Sequence, residues 1–344
     1  MPDFSLPIKA WYEQNHRKLP WRGEKNPYYI WLSEIILQQT QVVQGESYYL
    51  KFKKQYPTIK DLADSEIENV LKLWQGLGYY SRARNLHFAA SQVMNDFDGI
   101  FPTTYKNIIK LKGVGEYTAA AISSFVFNEP KAVVDGNVFR VISRLFKIKT
   151  PINTSKGKVE FTIIANKLLD KKNPATHNQA IMELGAMVCK PKNPDCLNCP
   201  LQIKCLAFAD KTMLNYPIKN KGKKPKKRYF NYLILYNNNH DIYISKRDKK
   251  DIWEGLYDFP LIESNQSIDS IDEFETIKVT NSIKEIEIKH ILTHQHIYAS
   301  FWLIDVNDKV KLNGYIQINK NDINRFPLPQ LIVRYMTESS FFKR

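Results

Sequence analysis

The chain has 344 residues, and at roughly 150 residues per domain that length predicts two domains, each large enough to bury a core. Hydrophobic residues make up 43% and charged residues 25%, which excludes a disordered chain. Fifty Lys and Arg against 35 Asp and Glu give a net charge of +15, which points toward a polyanion such as nucleic acid. No apolar run approaches the ~18 residues of a membrane-spanning helix, so no membrane partner is expected. The first residues, MPDFSLPIKAWYEQNHRKLPW, carry an early acid and no apolar core of signal-peptide length.

The first ~215 residues read as helical. Asn26-Pro27 is a cap followed by a first-turn proline, and YYIWLSEIILQQTQV continues from it as a helix. Within it Ile30, Glu34 and Leu37 fall on one face, so Glu34 is an acid on an apolar stripe. Burying it ionised is costly, and its pKa is expected to rise toward that of a useful general acid. Ser65 and Glu68 form a capping-box pattern ahead of Ile67, Val70, Leu71 and Trp74, and Gly76 closes that helix. TYKNIIKL then runs into Leu111-Lys112-Gly113-Val114-Gly115, and YTAAAISSFVF starts at once. The glycines permit a tight turn, and the following helix offers free N–H groups to an anion. In Val134-Asp135-Gly136-Asn137-Val138 the polar residues read first as helix caps.

All four cysteines lie close together: Cys189, Cys196, Cys199 and Cys205. Four thiols in so short a stretch read as one metal site in a reducing compartment rather than as disulfides. Their chemistry suits either zinc or a [4Fe–4S] cluster.

The stretch 219–228, KNKGKKPKKR, is basic without an acid and reads as a solvated linker. Beyond it the pattern alternates. YFNYLILY, an NNN turn and DIYISKR read as a hairpin, IEIKHIL and IYASFWLIDV as further strands, and LPQLIVRYM as a helix. The expected organisation is therefore a mainly α region at 1–215, containing the cysteine loop 189–205. A basic linker at 216–228 and an α+β domain at 229–344 follow it.

The cysteine spacing, the Leu111–Gly115 hairpin and the Asp135 segment, in this order, resemble the helix-hairpin-helix DNA glycosylases of the endonuclease III superfamily. The stretch SEIILQQTQV around Glu34 is similar to the branch that releases adenine, the MutY family. The resemblance is dense over about residues 8–205. It implies a [4Fe–4S] cluster on Cys189, Cys196, Cys199 and Cys205, and a DNA-phosphate contact at Gly113, Val114 and Gly115. It implies Glu34 as the catalytic acid, Asp135 as stabiliser of a cationic sugar, and Asn137 and Tyr117 as positioning groups. Bifunctional members carry a lysine where this chain has Tyr117. A phenol cannot form an imine, so strand cleavage is not expected. Leu19-Pro20-Trp21-Arg22 resembles a segment that helps line the adenine pocket, Leu37 is implied as a further base-binding residue, and Gln39 is implied in a stacking role near the flipped adenine. Gly76-Leu77-Gly78-Tyr79 resembles a loop whose tyrosine wedges into the base stack, and Gln179 matches a supporting position.

The C-terminal part resembles the Nudix-like domain of the same family through Trp253-Glu254-Gly255-Leu256-Tyr257-Asp258-Phe259-Pro260. No glutamate-rich metal-binding box follows, so binding without hydrolysis is implied. His290-Ile291-Leu292-Thr293-His294 aligns with the loop that inspects 8-oxoguanine, with Leu292 in place of a Phe and Thr293 in place of a Ser. The implied partner of Leu292, Thr293 and His294 is duplex DNA holding an 8-oxoguanine:adenine or guanine:adenine mispair. A monomer is expected, in the bacterial cytoplasm and at the nucleoid when bound to DNA.

Overall fold

Twelve helices form before the first strand, in a computed structural model that describes residues 4–222, 224–248, 250–275, 277–279, 281–306 and 310–343. They are α1 (Ser5–Asn15), α2 (Pro27–Ile36), α3 (Val42–Gln55), α4 (Ile59–Ala63), α5 (Ile67–Trp74) and α6 (Ser81–Asp96). Then come α7 (Tyr105–Ile108), α8 (Glu116–Phe127), α9 (Gly136–Phe146), α10 (Ser155–Leu168), α11 (Pro174–Met187) and α12 (Leu206–Ala209). Among the described residues no helix is long and apolar enough to cross a membrane.

The chain divides into two compact units, one of residues 1–64 and 85–221 and one of residues 65–84 and 222–344. This differs from an uninterrupted 1–215 region. The reason lies in long-range bonds that the sequence does not display. Lys72 Nζ donates to the Phe326 carbonyl (3.0 Å), Leu328 N–H donates to Gln75 Oε1 (3.1 Å), and Arg84 pairs with Glu254 (2.9 Å). The linker expectation changes too. Residue 223 lies outside the described residues, and Lys226, Lys227 and Arg228 already belong to a strand.

In the helical unit, Asn26 caps α2 by accepting from Tyr28 N–H (3.0 Å), and Pro27 occupies its first turn. The helix ends at Ile36, not in the QQTQV run. Gln39 takes a left-handed conformation (φ 54°), and α3 starts afresh at Val42. Leu37 is the C-cap of α2, still in a right-handed conformation, and with Ile30 and Glu34 it faces one cavity. The hairpin before α8 forms as expected, although its first helix, α7, is a single turn. Gly113 has φ +78°, and a Cβ there would stand 2.6 Å from Asn85 Cβ. Gly113→Ala should therefore cost about 2 kcal/mol, read as a lowered urea midpoint; an unchanged midpoint would refute the steric argument. Gly115 is the N-cap of α8 and has no side chain with which to accept from the first N–H groups of that helix. Helices α1, α9, α10 and α11 enclose an apolar core that includes Ile8, Ile142, Phe161 and Leu184.

In the other unit, α5 buries Val70, Leu71 and Trp74. Its N-cap is Glu66, one residue past the Ser65 of the expected box, and Glu66 makes no side-chain cap bond; in the helical unit, Thr58 and Asp61 form a capping box on α4. The strands are β1 (Lys226–Tyr236), β2 (Asp241–Lys246), β3 (Tyr257–Asp258), β4 (Leu261–Ser264), β5 (Glu273–Phe274), β6 (Ile277–Lys278), β7 (Ile283–Ile291), β8 (Gln295–Asp305) and β9 (Ile316–Asn319). Helices α13 (Gln330–Glu338) and α14 (Ser340–Lys343) end the chain. Seven strands make one mixed sheet, with β3-β2-β1-β8-β7 as its spine, β4 beside β1 and β9 beside β2. The hairpin β1–β2 appears as read, and the two further strands form as β7 and β8, paired antiparallel, whereas β1 and β8 pair in parallel from Lys226↔Gln295 to Tyr236↔Asp305. Among the described residues from Pro260 to β7 lie the short strands β4, β5 and β6.

Candidate active site

Glu34 is set by α2, whose apolar residues Ile30, Trp31, Leu32, Ile35 and Ile36 bury the helix on nearly every side. Its carboxyl is 7% exposed and opens into a cavity of about 230 Å³. Burial pushes its pKa up to about 7, against the hydrogen bond from Tyr117 and with the repulsion of Asp135. Tyr117, in the first turns of α8, donates its hydroxyl to Glu34 Oε2 at 2.7 Å. Burial and the two carboxyls hold that phenol well above its ordinary pKa.

Asp135 enters the same cavity from the N-terminus of α9. It is a helix cap, accepting from Val138 N–H on Oδ1 (2.8 Å), and Oδ2 also accepts from Asn137 Nδ2 (2.7 Å). Burial raises its pKa, and those two hydrogen bonds with the Arg140 charge oppose the rise. Arg140 in turn holds Asn137 Oδ1 at 2.8 Å. The two acids therefore sit in unlike surroundings: one bond favours the Glu34 anion, and several favour that of Asp135. Such a pair is suited to holding a proton on Glu34 and a charge on Asp135.

The floor of the cavity is an ion-pair network that sequence reading found only in part. Trp21, Arg22, Leu37 and Gln179 line the cavity, as expected. Glu183, also lining it, was not singled out. It receives Arg17 on both oxygens (2.8 and 3.0 Å) and Arg22 Nη2 at 2.8 Å. Tyr12 donates to Gln179 Oε1 at 2.6 Å and accepts from Arg22. Burial pushes the Glu183 pKa up, but the two guanidiniums outweigh it and hold the carboxyl below its ordinary value. The available signal was an acid in the apolar stretch IMELGAM, the same signature that marked Glu34. Glu183→Ala should lose about 3 kcal/mol of stability, because it strands Arg22 beneath the cavity; a denaturation midpoint equal to the parent's would contradict this. Asn178, the neighbour of Gln179, turns away. It is 1% exposed and ties Lys131 O, Ser124 Oγ and Val133 N–H together ahead of Asp135.

Gln39 does not line the cavity and is exposed on the turn after α2. Gly113, Val114 and Gly115 form the hairpin described above. In the sheet-bearing unit Tyr79 (φ 47°, 44% exposed) meets the β7–β8 turn, its hydroxyl 2.8 Å from Thr293 Oγ1. Leu292, Thr293 and His294 share with Tyr79 a second cavity of about 330 Å³.

The four cysteines are partly buried and free of disulfides, and Cys189, Cys199 and Cys205 pack on the core of the helical unit. Burial, with the neighbouring thiols adding to it, takes the Cys199 pKa up to about 11 and raises those of Cys196 and Cys205. Among the described residues no three His, Cys, Asp or Glu side chains converge at metal-binding distance. The donor set nonetheless fits a thiolate-held cluster. Arg144, 2% exposed, places Nη1 3.3 Å from Cys189 Sγ and binds the carbonyls of Cys189, Lys190, Pro191, Met213 and Tyr216. A guanidinium in that place favours anionic sulfur.

Residues 32–165 match the HhH-GPD superfamily base excision DNA repair protein family, and residues 231–338 match the NUDIX domain. The chain is 38% identical to an adenine DNA glycosylase of Buchnera aphidicola subsp. Baizongia pistaciae, over 98% of this chain and 97% of that one. To the adenine DNA glycosylase of Buchnera aphidicola subsp. Schizaphis graminum it is 36% identical, over 87% and 85%. Among solved structures it is similar to a thermostable thymine-DNA glycosylase, at 29% identity and a TM-score of 0.56, over 60% of this chain and 95% of that one. A non-covalent endonuclease III–DNA complex shares the fold at 23% identity and a TM-score of 0.51, over 59% and 92%.

Proposed function

This chain belongs to the adenine DNA glycosylase family, and on that footing we propose that it hydrolyses the N-glycosidic bond of adenine opposite 8-oxoguanine or guanine in duplex DNA. It is a glycosylase of base excision repair, and its substrate base is adenine. The observation that carries the finer reading is the pair of carboxyls, buried Glu34 and half-buried Asp135, opening into one cavity. Its volume of about 230 Å³ lies below the ~300 Å³ at which drug-sized pockets begin, which suits one planar heterocycle.

Adenine is out of reach inside the stack and must be flipped into the cavity. Glu34, neutral for about half the time near pH 7, gives its proton to adenine N7. The bonding electrons then leave with N9, and the sugar becomes an oxocarbenium-like cation. Tyr117 stabilises the Glu34 carboxylate that remains, and the Asp135 anion stabilises the cation. Water adds at C1′, its proton is lost, and an abasic site results. Tyr117 stands where a strand-cleaving member carries a lysine, and a phenol cannot form the imine that cleavage needs.

The N–H groups at the start of α8, with Gly113–Gly115, bind a DNA phosphate. Tyr79 and Gln39 help hold the duplex open, and Leu292, Thr293 and His294 read the base opposite adenine. Cys189, Cys196, Cys199 and Cys205 hold a [4Fe–4S] cluster. When bound, the cluster supplies structural order to a loop whose Lys190, Lys192 and Lys204 are exposed. The protein acts as a monomer in the cytoplasm, at the nucleoid.

Single-turnover incubation with a labelled 8-oxoguanine:adenine duplex tests the reading, beside guanine:adenine and guanine:thymine duplexes. Cleavage of the adenine strand only after alkali supports it. Cleavage without alkali overturns the monofunctional chemistry, and release of thymine alone overturns the substrate.

A further inference from the structure

Gln295 is a buried polar residue, 5% exposed, at the first position of β8, and both ends of its amide are engaged. Its Oε1 accepts from Arg228 Nη1 at 3.3 Å, and its Nε2 lies 3.2 Å from His294 Nε2. The orientation of this amide follows from Arg228. That guanidinium grips Asp251 (2.9 and 2.7 Å) and Glu263 (2.7 and 2.7 Å), each through two bonds, and lies 4.7 Å over the Phe230 ring. A guanidinium offers only donors, so the amide oxygen must face it and the NH2 must face the imidazole. Two donors cannot meet at 3.2 Å. His294 Nε2 therefore presents its lone pair, and the neutral ring carries its proton on Nδ1. The backbone fixes the same corner, through Leu292 N–H to Gln295 O (2.9 Å) and Lys226 N–H to His294 O (3.0 Å).

We propose that Arg228 and Gln295 are positioning residues that set the tautomer of His294, so that the β7–β8 turn presents an Nδ1–H donor to an acceptor atom on the DNA. This deepens, and rests on, the reading of residues 292–294 as the loop that checks the opposite base. Thr293 can donate or accept. A fixed donor beside it restricts which base edge the turn can satisfy, and a buried mismatch of donor against donor is penalised.

The test has two independent readouts on the full chain. The first is the imidazole 15N shift pattern of histidine-labelled protein, with His294 assigned by its loss in His294→Gln. The Nδ1–H form is expected in the parent. Gln295→Leu removes the constraint, and Gln295→Glu supplies a carboxylate that only accepts; both should move the proton to Nε2. The second readout is the ratio of single-turnover rates on 8-oxoguanine:adenine and guanine:adenine duplexes, expected to fall about five-fold in both variants. An Nε2–H parent, or one tautomer throughout, overturns the proposal whatever the rates do. A tautomer that switches while the ratio holds keeps the relay and overturns the base-checking role of the turn.

Discussion

Glu34→Gln should lower adenine release by about 10³-fold or more while affinity for the mispaired duplex stays within a few-fold. The glutamine keeps the size of the side chain and can still accept from the Tyr117 hydroxyl, but it has no acidic proton to give. The pH profile sharpens the expectation. The acid must be protonated to act, and its pKa stands at about 7, so the parent's single-turnover rate is full below that value and falls as the pH rises through it. The residual rate of the variant should lack this alkaline limb. Turnover near the parent level in Glu34→Gln, or a parent rate that stays flat from about pH 5 to about pH 9, roughly two units either side of that pKa, would remove Glu34 as the acid.

Asp135→Asn should cost about 10³-fold in the same assay, for a different reason: the charge that faces the developing cation is gone. The substitution separates two duties of one side chain. Asparagine is as good a helix cap as aspartate, so the bond from Val138 N–H persists, but its NH2 would face Asn137 Nδ2 where Oδ2 accepts at 2.7 Å, and about 1 kcal/mol of stability should be lost with that bond. Asp135→Ala would lose the cap as well, at about 1 kcal/mol. An Asn variant that folds and excises adenine at the parent rate would leave Asp135 as a cap alone.

Local signals served well where the deciding interaction is local. Asn26-Pro27 announces α2, Gly113-Val114-Gly115 announces the start of α8, and the alternation in YFNYLILY and DIYISKR announces the β1–β2 hairpin. The burial of Glu34 was also legible, because an acid on an apolar stripe has few other places to go. What escaped depends on partners distant in sequence. The stop of α2 before Gln39 has neither glycine nor proline to mark it. The parallel pairing of β1 with β8 joins residues about seventy positions apart, and no pattern in either strand distinguishes it from an antiparallel one. Glu183 looked like one more helical acid until Arg17 and Arg22, far earlier in the chain, closed on it. The link of residues 65–84 to the sheet-bearing unit is of the same kind.

Arg144 has a bearing on how the protein is supplied in a cell. Its guanidinium is buried, and its donors go to carbonyl dipoles and to the Cys189 sulfur, groups that carry no formal negative charge while the thiols are protonated. Four thiolates around a metal cluster would provide that counter-charge, so the fold and the loading of the loop become a single linked equilibrium. With the proposed cluster in place, the quantity of intact enzyme would follow iron and sulfide availability as well as gene expression. Starvation for iron would show first as faster turnover of the polypeptide by proteases, with a rise in unrepaired mispairs as its late consequence.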